Sequence, residues 1–181
     1  SQTESSKLTE LELEWISKQD TVYFGYDPNW MPYEFIDNNG EHQGIVEQLL
    51  EIVRAKSGLN LQPYPNLSWT SSLDALEEER IQFIPGLGIT EDRKQTMSFT
   101  TCYISFPFVI INSKDGAFVG GLKDLKAKTM ALPKGYMVTE MIEKDYPDIE
   151  IAYTKSFEEA LLLILTNKAD ATIEALPVAS Y

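Results

Sequence analysis

The stretch Gly86-Leu87-Gly88-Ile89-Thr90-Glu91-Asp92-Arg93 is the part of the sequence from which the fold is most readily predicted. It follows an apolar run at residues 81–84 that is typical of a buried strand, so its two glycines lie in the loop where that strand ends. The N–H groups of such a loop can point at an anion, and the guanidinium of Arg93 suits a bidentate grip on a carboxylate. Taken alone, however, an arginine is more typical of a surface salt bridge, and Gly-x-Gly is a weak phosphate signal.

Strands and helices alternate on both sides of this loop. The predicted strands are residues 22–26, 59–64, 81–84, 129–132, 149–153 and 171–173, and the predicted helices are residues 9–18, 45–56, 68–79, 122–125, 137–145 and 156–167. Capping boxes at Thr9/Glu12 and Ser156/Glu159 mark two of the helix starts. This alternation predicts an α/β fold with mostly parallel sheets and helices on both faces, which binds ligands at the carboxyl ends of its strands.

Two tryptophans lie where such a site would form. Trp30 belongs to a loop at residues 27–33 that is fixed by two prolines, and Trp69 follows the strand at residues 59–64. Aromatic side chains on loops after strands are typical of contact surfaces, although each could equally be packed in the core. Trp15, in the first helix, is expected to pack that helix.

The composition excludes several classes of protein. The net charge of −13 repels phosphate backbones and anionic lipids, so neither nucleic acid nor a membrane surface is an expected partner. No apolar segment is long enough to span a bilayer, and residues 1–7 are expected to be disordered. Cys102 is the only cysteine and His42 the only histidine, which is expected to be solvated. With no recognised catalytic motif in the sequence, we predict no catalytic residue, no metal and no cofactor.

The order of the motifs carries a resemblance to a known family. They run along nearly the whole chain after residue 8, and they are Leu8-Thr9-Glu10, Trp15-Ile16, residues 22–35, Gly44-Ile45, Ser68-Trp69, residues 86–93, Met97-Ser98-Phe99-Thr100, Tyr103 and Ala169-Asp170-Ala171. In this order they resemble the type 2 periplasmic solute-binding proteins of the amino-acid-binding branch. The resemblance is strongest to the copies that serve as Venus-flytrap sensor modules of tandem-flytrap histidine kinases and related receptors.

The resemblance implies a ligand held between two lobes. Arg93 matches the arginine that holds a ligand carboxylate, with backbone groups of Gly86 and Gly88 beside it. Trp30 and Trp69 match aromatic positions that flank the ligand from the first lobe. The expected partner is therefore a small anionic or zwitterionic solute.

Further positions support and restrict this expectation. Asp27 matches a position that reaches the polar end of a ligand, and Gly135 and Tyr136 match the turn where the second lobe offers N–H groups to an anion. Ala175, however, replaces the aspartate that usually holds the ammonium group of an amino acid, so an α-amino acid ligand is in doubt. Glu174 is adjacent, but strand alternation predicts that it points elsewhere.

The resemblance also sets the expected domain boundaries. Lobe one is predicted at residues 8–104 and lobe two at residues 105–181, connected by an extended segment at residues 103–112. The family normally continues past Tyr181 to complete the first lobe, so that return is expected to be absent and lobe one to be incomplete. Exposed apolar surface would then favour a homodimer or a poorly closed cleft.

The expected function is an extracytoplasmic, periplasmic sensor domain that signals by closing on its ligand, in a membrane-anchored parent of a two-component system. A transport receptor shares the fold, but the helix at residues 9–18 favours the sensor. An enzyme such as a periplasmic dehydratase is the other alternative, with Glu174 as the acid. It would need a buried carboxylate of raised pKa facing the cleft.

Overall fold

The chain builds separate sheets in its two halves, as a computed structural model of the protein shows. The structure describes residues 8–181, so the expected disorder at residues 1–7 lies outside the described residues. The strands at residues 22–24 and 129–133 belong to different sheets, as a two-lobe fold requires. The predicted α/β class is confirmed.

The first half combines one parallel pair with a small antiparallel sheet. Its elements are α1 (Glu10–Ser17), β1 (Val22–Phe24), β2 (Asn29–Trp30), β3 (Glu34–Ile36), β4 (His42–Gln43), α2 (Ile45–Ser57), β5 (Leu61–Pro63) and α3 (Trp69–Glu77). Strand β1 pairs with β5 in parallel, and β2, β3 and β4 pair antiparallel in that order. This small sheet was not predicted, because two-residue strands leave no periodicity in a sequence.

The second half is one four-stranded sheet with helices. Its elements are β6 (Phe108–Asn112), β7 (Thr129–Pro133), α4 (Met137–Asp145), β8 (Glu150–Thr154), α5 (Phe157–Leu165), β9 (Ala171–Ala175) and α6 (Leu176–Ala179). The strand order is β6-β9-β7-β8, in which only β6 runs antiparallel to its neighbour. Short 3₁₀ helices occupy Arg93–Gln95 and Leu122–Leu125.

Three local expectations need correction. The predicted strand at residues 81–84 contributes one isolated parallel bridge, between Phe24 and Phe83. In the predicted connecting strand at residues 103–112, only Phe108–Asn112 is a strand. At the start of α5, Ser156 accepts from the N–H of Glu159, but the Glu159 carboxylate accepts from the N–H of Lys155, so the reciprocal capping box does not form.

The N-terminus of α2 fixes the loop that carries Trp30. The first N–H groups of a helix have no partner inside it. Here the N–H of Ile45 donates to Pro32 O at 3.2 Å, and the N–H of Val46 donates to Tyr33 O at 2.9 Å. Gly44 permits this approach, since its φ is +110° and a Cβ there would lie 2.5 Å from the carbonyl oxygen of Tyr33.

No helix among residues 8–181 is long and apolar enough to cross a membrane. The exact lobe boundary and the expected homodimer stay predictions.

Replacing Gly44 with alanine tests the contact between α2 and the Trp30 loop. We expect the free energy of unfolding to fall by about 3 kcal/mol or more, because the backbone conformation costs about 1–3 kcal/mol for other residues and the Cβ also meets the backbone of Tyr33. Gly40→Ala is the control. Its φ is also positive, at +81°, but a Cβ there meets no atom within 4 Å, so about 1–2 kcal/mol is expected. Urea unfolding of both variants measures the difference, and equal losses would contradict the prediction.

Candidate ligand-binding site

A cavity of about 70 Å³ lies between the two halves of the chain. It is lined by Asp27, Trp30, Trp69, Gly86, Gly88, Arg93, Phe106, Phe108, Tyr136, Met137, Val138 and Glu174. All the predicted binding residues except Gly135 are in this set, and the carbonyl oxygen of Gly135 accepts hydrogen bonds from two of its members, Trp69 and Arg93. Ligand pockets generally exceed about 300 Å³, so the halves are closed on each other here.

Strand direction explains why these residues meet. Parallel strands end at the same edge of a sheet. Asp27 comes shortly after β1 and Gly86 shortly after the parallel bridge at Phe83, so both residues lie at that edge. In the second sheet, β7 leads to Tyr136, and β9 ends beside the first residue of β6. Phe108 pairs with Ala175 because β6 runs antiparallel to β9. No local pattern in the sequence indicates this reversal, so Phe106 and Phe108 were not predicted to line the site.

Asp27 and Tyr136 join the two halves through buried side chains. The hydroxyl of Tyr136 donates to Asp27 Oδ2, and the N–H of Asn29 donates to Asp27 Oδ1 at 2.8 Å. Burial raises the pKa of Asp27 to about 7, although the bond from Tyr136 opposes the shift. Burial, together with the Asp27 charge, raises the pKa of Tyr136 well above its ordinary value.

His42 belongs to the support of this site, and the expectation that it is solvated is wrong. The residue is 6% exposed, and its ring nitrogens lie 3.0 Å from Glu34 Oε2 and 2.7 Å from Glu47 Oε2. Burial would lower the pKa of His42, but the two carboxylates outweigh burial and raise it. Glu34 Oε1 in turn accepts from the N–H of Asp27 at 2.9 Å. The buried pair of Glu34 and His42 therefore holds the backbone of the loop at residues 27–33.

Arg93 lines the cavity, but its guanidinium already meets an acidic side chain there. Its guanidinium donates to Gly88 O, to Gly135 O and to Glu140 Oε1, each at 2.9 Å. The Arg93 side chain is 6% exposed and that of Glu140 is 37% exposed. Glu140 lies in the first turn of α4. A single sequence does not indicate which cation an acidic residue at such a position will contact. Arg93 therefore joins the two halves in this structure.

The backbone at Gly135 accepts bonds where N–H groups were expected to bind an anion. Gly135 O receives Trp69 Nε1 at 2.9 Å in addition to the guanidinium of Arg93. The N–H of Tyr136 donates to Pro133 O within its own turn, at 3.3 Å. Both observations reduce the anion-binding capacity expected of this turn.

Glu174 lines the cavity, contrary to the prediction from strand alternation. Its carboxylate is 1% exposed, and Oε1 accepts from Trp30 Nε1 at 3.4 Å and from the N–H of Ala175 at 2.7 Å. Burial raises the pKa of Glu174 to about 7. The cavity lies across the end of β9 and receives side chains from both faces of the sheet, since Phe108, which pairs with Ala175, and Glu174 both line it.

Within residues 8–181, no group of three or more His, Cys, Asp or Glu side chains is placed to hold a metal ion. The chemistry of the cavity is therefore that of carboxylates, one paired guanidinium and aromatic rings.

Comparison with known proteins identifies the family. Residues 22–176 match the family described as bacterial extracellular solute-binding proteins, family 3. This match covers most of the 181 residues, so the chain belongs to that family. The resemblance deduced from the motifs is thereby confirmed.

Individual relatives include a sensor protein and an arginine-bound protein. The sensor protein EvgS of Escherichia coli (strain K12) is 26% identical over 167 residues, which are 92% of this chain and 14% of EvgS. The arginine-bound form of truncated ArgBP from T. maritima is 26% identical with a TM-score of 0.80, covering 92% of this chain and 79% of that one. The periplasmic VFT2 domain of Bordetella pertussis BvgS shares the fold, with a TM-score of 0.80 at 19% identity over 96% of this chain and 74% of that one. The chain thus spans about one seventh of the length of EvgS.

The buried titratable groups predict that stability falls as the pH rises from about 4 to above 7. The folded state retains the protons of Asp27 and Glu174 up to about pH 7, whereas the unfolded chain loses them near pH 4, so unfolding releases protons in this window. The raised pKa of His42 acts in the same direction above pH 6.5. Asp27 and Glu174 each contribute on the order of a few kcal/mol, at about 1.4 kcal/mol per pKa unit.

Urea unfolding at pH 5 and pH 8 measures this dependence, and we expect the higher midpoint at pH 5. Asp27→Asn should reduce the difference between the two pH values, since it removes one titrating group. Asp115→Asn, at an exposed position, is the matched control and should leave the difference unchanged. An Asp27→Asn variant with the full wild-type difference would show that Asp27 does not titrate in this way.

Proposed function

We propose that this domain senses a small solute bound between lobes at residues 8–104 and 105–181, and that it transmits closure to a membrane-anchored, periplasm-facing parent protein. The observation that carries the proposal is the cavity walled by both halves of the chain. Membership of the solute-binding family supports the binding activity. The cavity walled by both halves supports the proposed location of the bound solute.

Contacts across the cavity describe how closure is stabilised. Four hydrogen bonds join the first half to the second. They link Asp27 to Tyr136, Trp30 to Glu174, and both Trp69 and Arg93 to Gly135. Lys144 adds an exposed pair with Asp92 at 2.9 Å. A solute would shift the balance between open and closed states only by as much as it prefers one of them. We propose that it adds to these contacts in the closed state.

The named relatives support a sensor over a transport receptor. EvgS is a sensor protein, and the BvgS domain is a periplasmic part of a protein of the same kind, while ArgBP binds arginine. Helix α1 lies ahead of β1, which the resemblance associates with sensor modules. A transport receptor remains the alternative, and measurement of signalling output in cells carrying the complete parent protein separates the two.

An enzyme on this scaffold is a second alternative, because Glu174 supplies the buried carboxylate of raised pKa that such an enzyme would need. Turnover distinguishes the two possibilities. A binding domain returns its solute unchanged, and NMR spectra of the solute before and after prolonged incubation detect any conversion.

Trp69→Phe tests whether the cavity binds the solute. The variant keeps an aromatic ring but loses the hydrogen bond from Nε1 to Gly135 O, so closure should be weaker. A panel of amino acids, small carboxylates and small amines is screened by thermal unfolding, since binding to the folded state raises Tm. We expect at least one solute to raise the wild-type Tm by several degrees and the Trp69→Phe Tm by less, because a smaller closed population lowers apparent affinity.

The control for this experiment is Trp15→Phe. Trp15 is 52% exposed on α1, and its replacement should leave the solute response as in the wild type. A panel in which no solute raises Tm, or equal responses of wild type and Trp69→Phe, would contradict the proposed binding site.

A further inference from the structure

Above about pH 7, where Asp27 and Glu174 ionise, the cavity has more negative than positive character, because the guanidinium of Arg93 is already paired. Arg93 donates to Glu140 and to two carbonyl groups, whereas Asp27 and Glu174 both line the cavity. A ligand carboxylate at Arg93 would have to displace Glu140 and would then lie near two further carboxyl groups. Like charges at close range oppose such binding.

Glu174 has an unused acceptor. Oε1 is occupied by two N–H donors, but Oε2 is buried and has no hydrogen-bond partner among residues 8–181. A buried polar atom without a partner is costly, on the order of 1–3 kcal/mol, and is therefore uncommon in folded proteins. Asp27 differs, since both of its oxygens accept hydrogen bonds. Glu174 is thus the acidic group of the cavity that can still accept a donor.

The walls around Glu174 are aromatic. Trp30 bonds to Glu174 and packs against Phe106, with ring centroids 5.8 Å apart, and Phe106 packs against Phe108 at 5.7 Å. Across the cavity, Trp69 and Tyr136 pack edge to face at 5.8 Å. Aromatic faces attract cations, and the attraction is greatest at desolvated sites.

From these observations we infer that the solute is a small organic cation, an amine or quaternary ammonium, held by Glu174 and the surrounding aromatic rings without a carboxylate at Arg93. This inference rests on the proposed function and names its ligand class. It also gives Glu140 a role in specificity, because Glu140 occupies the guanidinium that a carboxylate or amino-acid ligand would need.

Isothermal titration calorimetry at pH 8 tests the inference with four probes. They are butylammonium and tetramethylammonium as cations, butyrate as the anion matched to the first in length, and arginine as an amino acid. At this pH Glu174, whose pKa is about 7, is ionised. We expect the wild-type chain to bind butylammonium at least ~10-fold more tightly than butyrate.

Two substitutions with opposite expected effects sharpen the test. Glu174→Gln keeps the size of the side chain and removes its charge, so the butylammonium affinity should fall at least ~10-fold. Glu140→Gln frees the guanidinium of Arg93, so the butyrate affinity should rise. Glu51→Gln is the matched control for Glu174→Gln, because Glu51 is exposed and does not line the cavity. Its butylammonium affinity should match the wild type.

Several outcomes would overturn the inference. They are tighter wild-type binding of butyrate than of butylammonium, binding of arginine but of neither cation, unchanged butylammonium affinity in Glu174→Gln, and unchanged butyrate affinity in Glu140→Gln. If none of the four probes binds while an amino acid or carboxylate of the thermal panel does, the ligand class is wrong and the proposed function stands. If the panel also gives no response, the proposed function fails as well.

Discussion

The carboxylate of Glu34 is fully buried, and the first half of the cavity depends on how that charge is satisfied. One oxygen accepts from the backbone of Asp27 and the other lies against His42, whose second nitrogen meets Glu47. A buried carboxylate without such partners would cost several kcal/mol. The loop carrying Asp27 and Trp30 is therefore anchored to the buried carboxylate of Glu34, which leaves it little freedom to rearrange. A binding site needs such rigidity.

The same support extends to the second half of the chain. Asp27, fixed through its backbone, presents its carboxylate to Tyr136, and both groups are buried. Their neighbour Glu174 comes from β9 and bonds to Trp30 on the loop. Closure consequently places acidic groups from both halves around one small volume. Since charged forms of these groups are disfavoured by burial, the protonation of the cavity and its occupancy are coupled.

The sequence was informative wherever one element determined a position. The ends of parallel strands indicated Trp30, Trp69 and the segment at residues 86–93, and the family resemblance added Asp27 and Tyr136. The capping box at Thr9 and Glu12 located the start of α1. It was uninformative wherever a position depended on two distant elements. The partner of Arg93 lies 47 residues away, and the reversed strand that brings in Phe108 leaves no local pattern. Glu174 was misassigned because the cavity lies at the end of β9, where side chains from both faces of the sheet reach it.

The segment that connects the two halves has a consequence for how the molecule moves. Residues 97–107 contain no helix or strand, and near their end Phe106 packs against Trp30 and Tyr33, at 5.8 and 4.9 Å between ring centroids. The segment that joins the halves therefore lies against the wall of the cavity, which Trp30 and Phe106 both line. A smaller or larger side chain at position 106 would alter this packing, and with it the proposed closure of the halves.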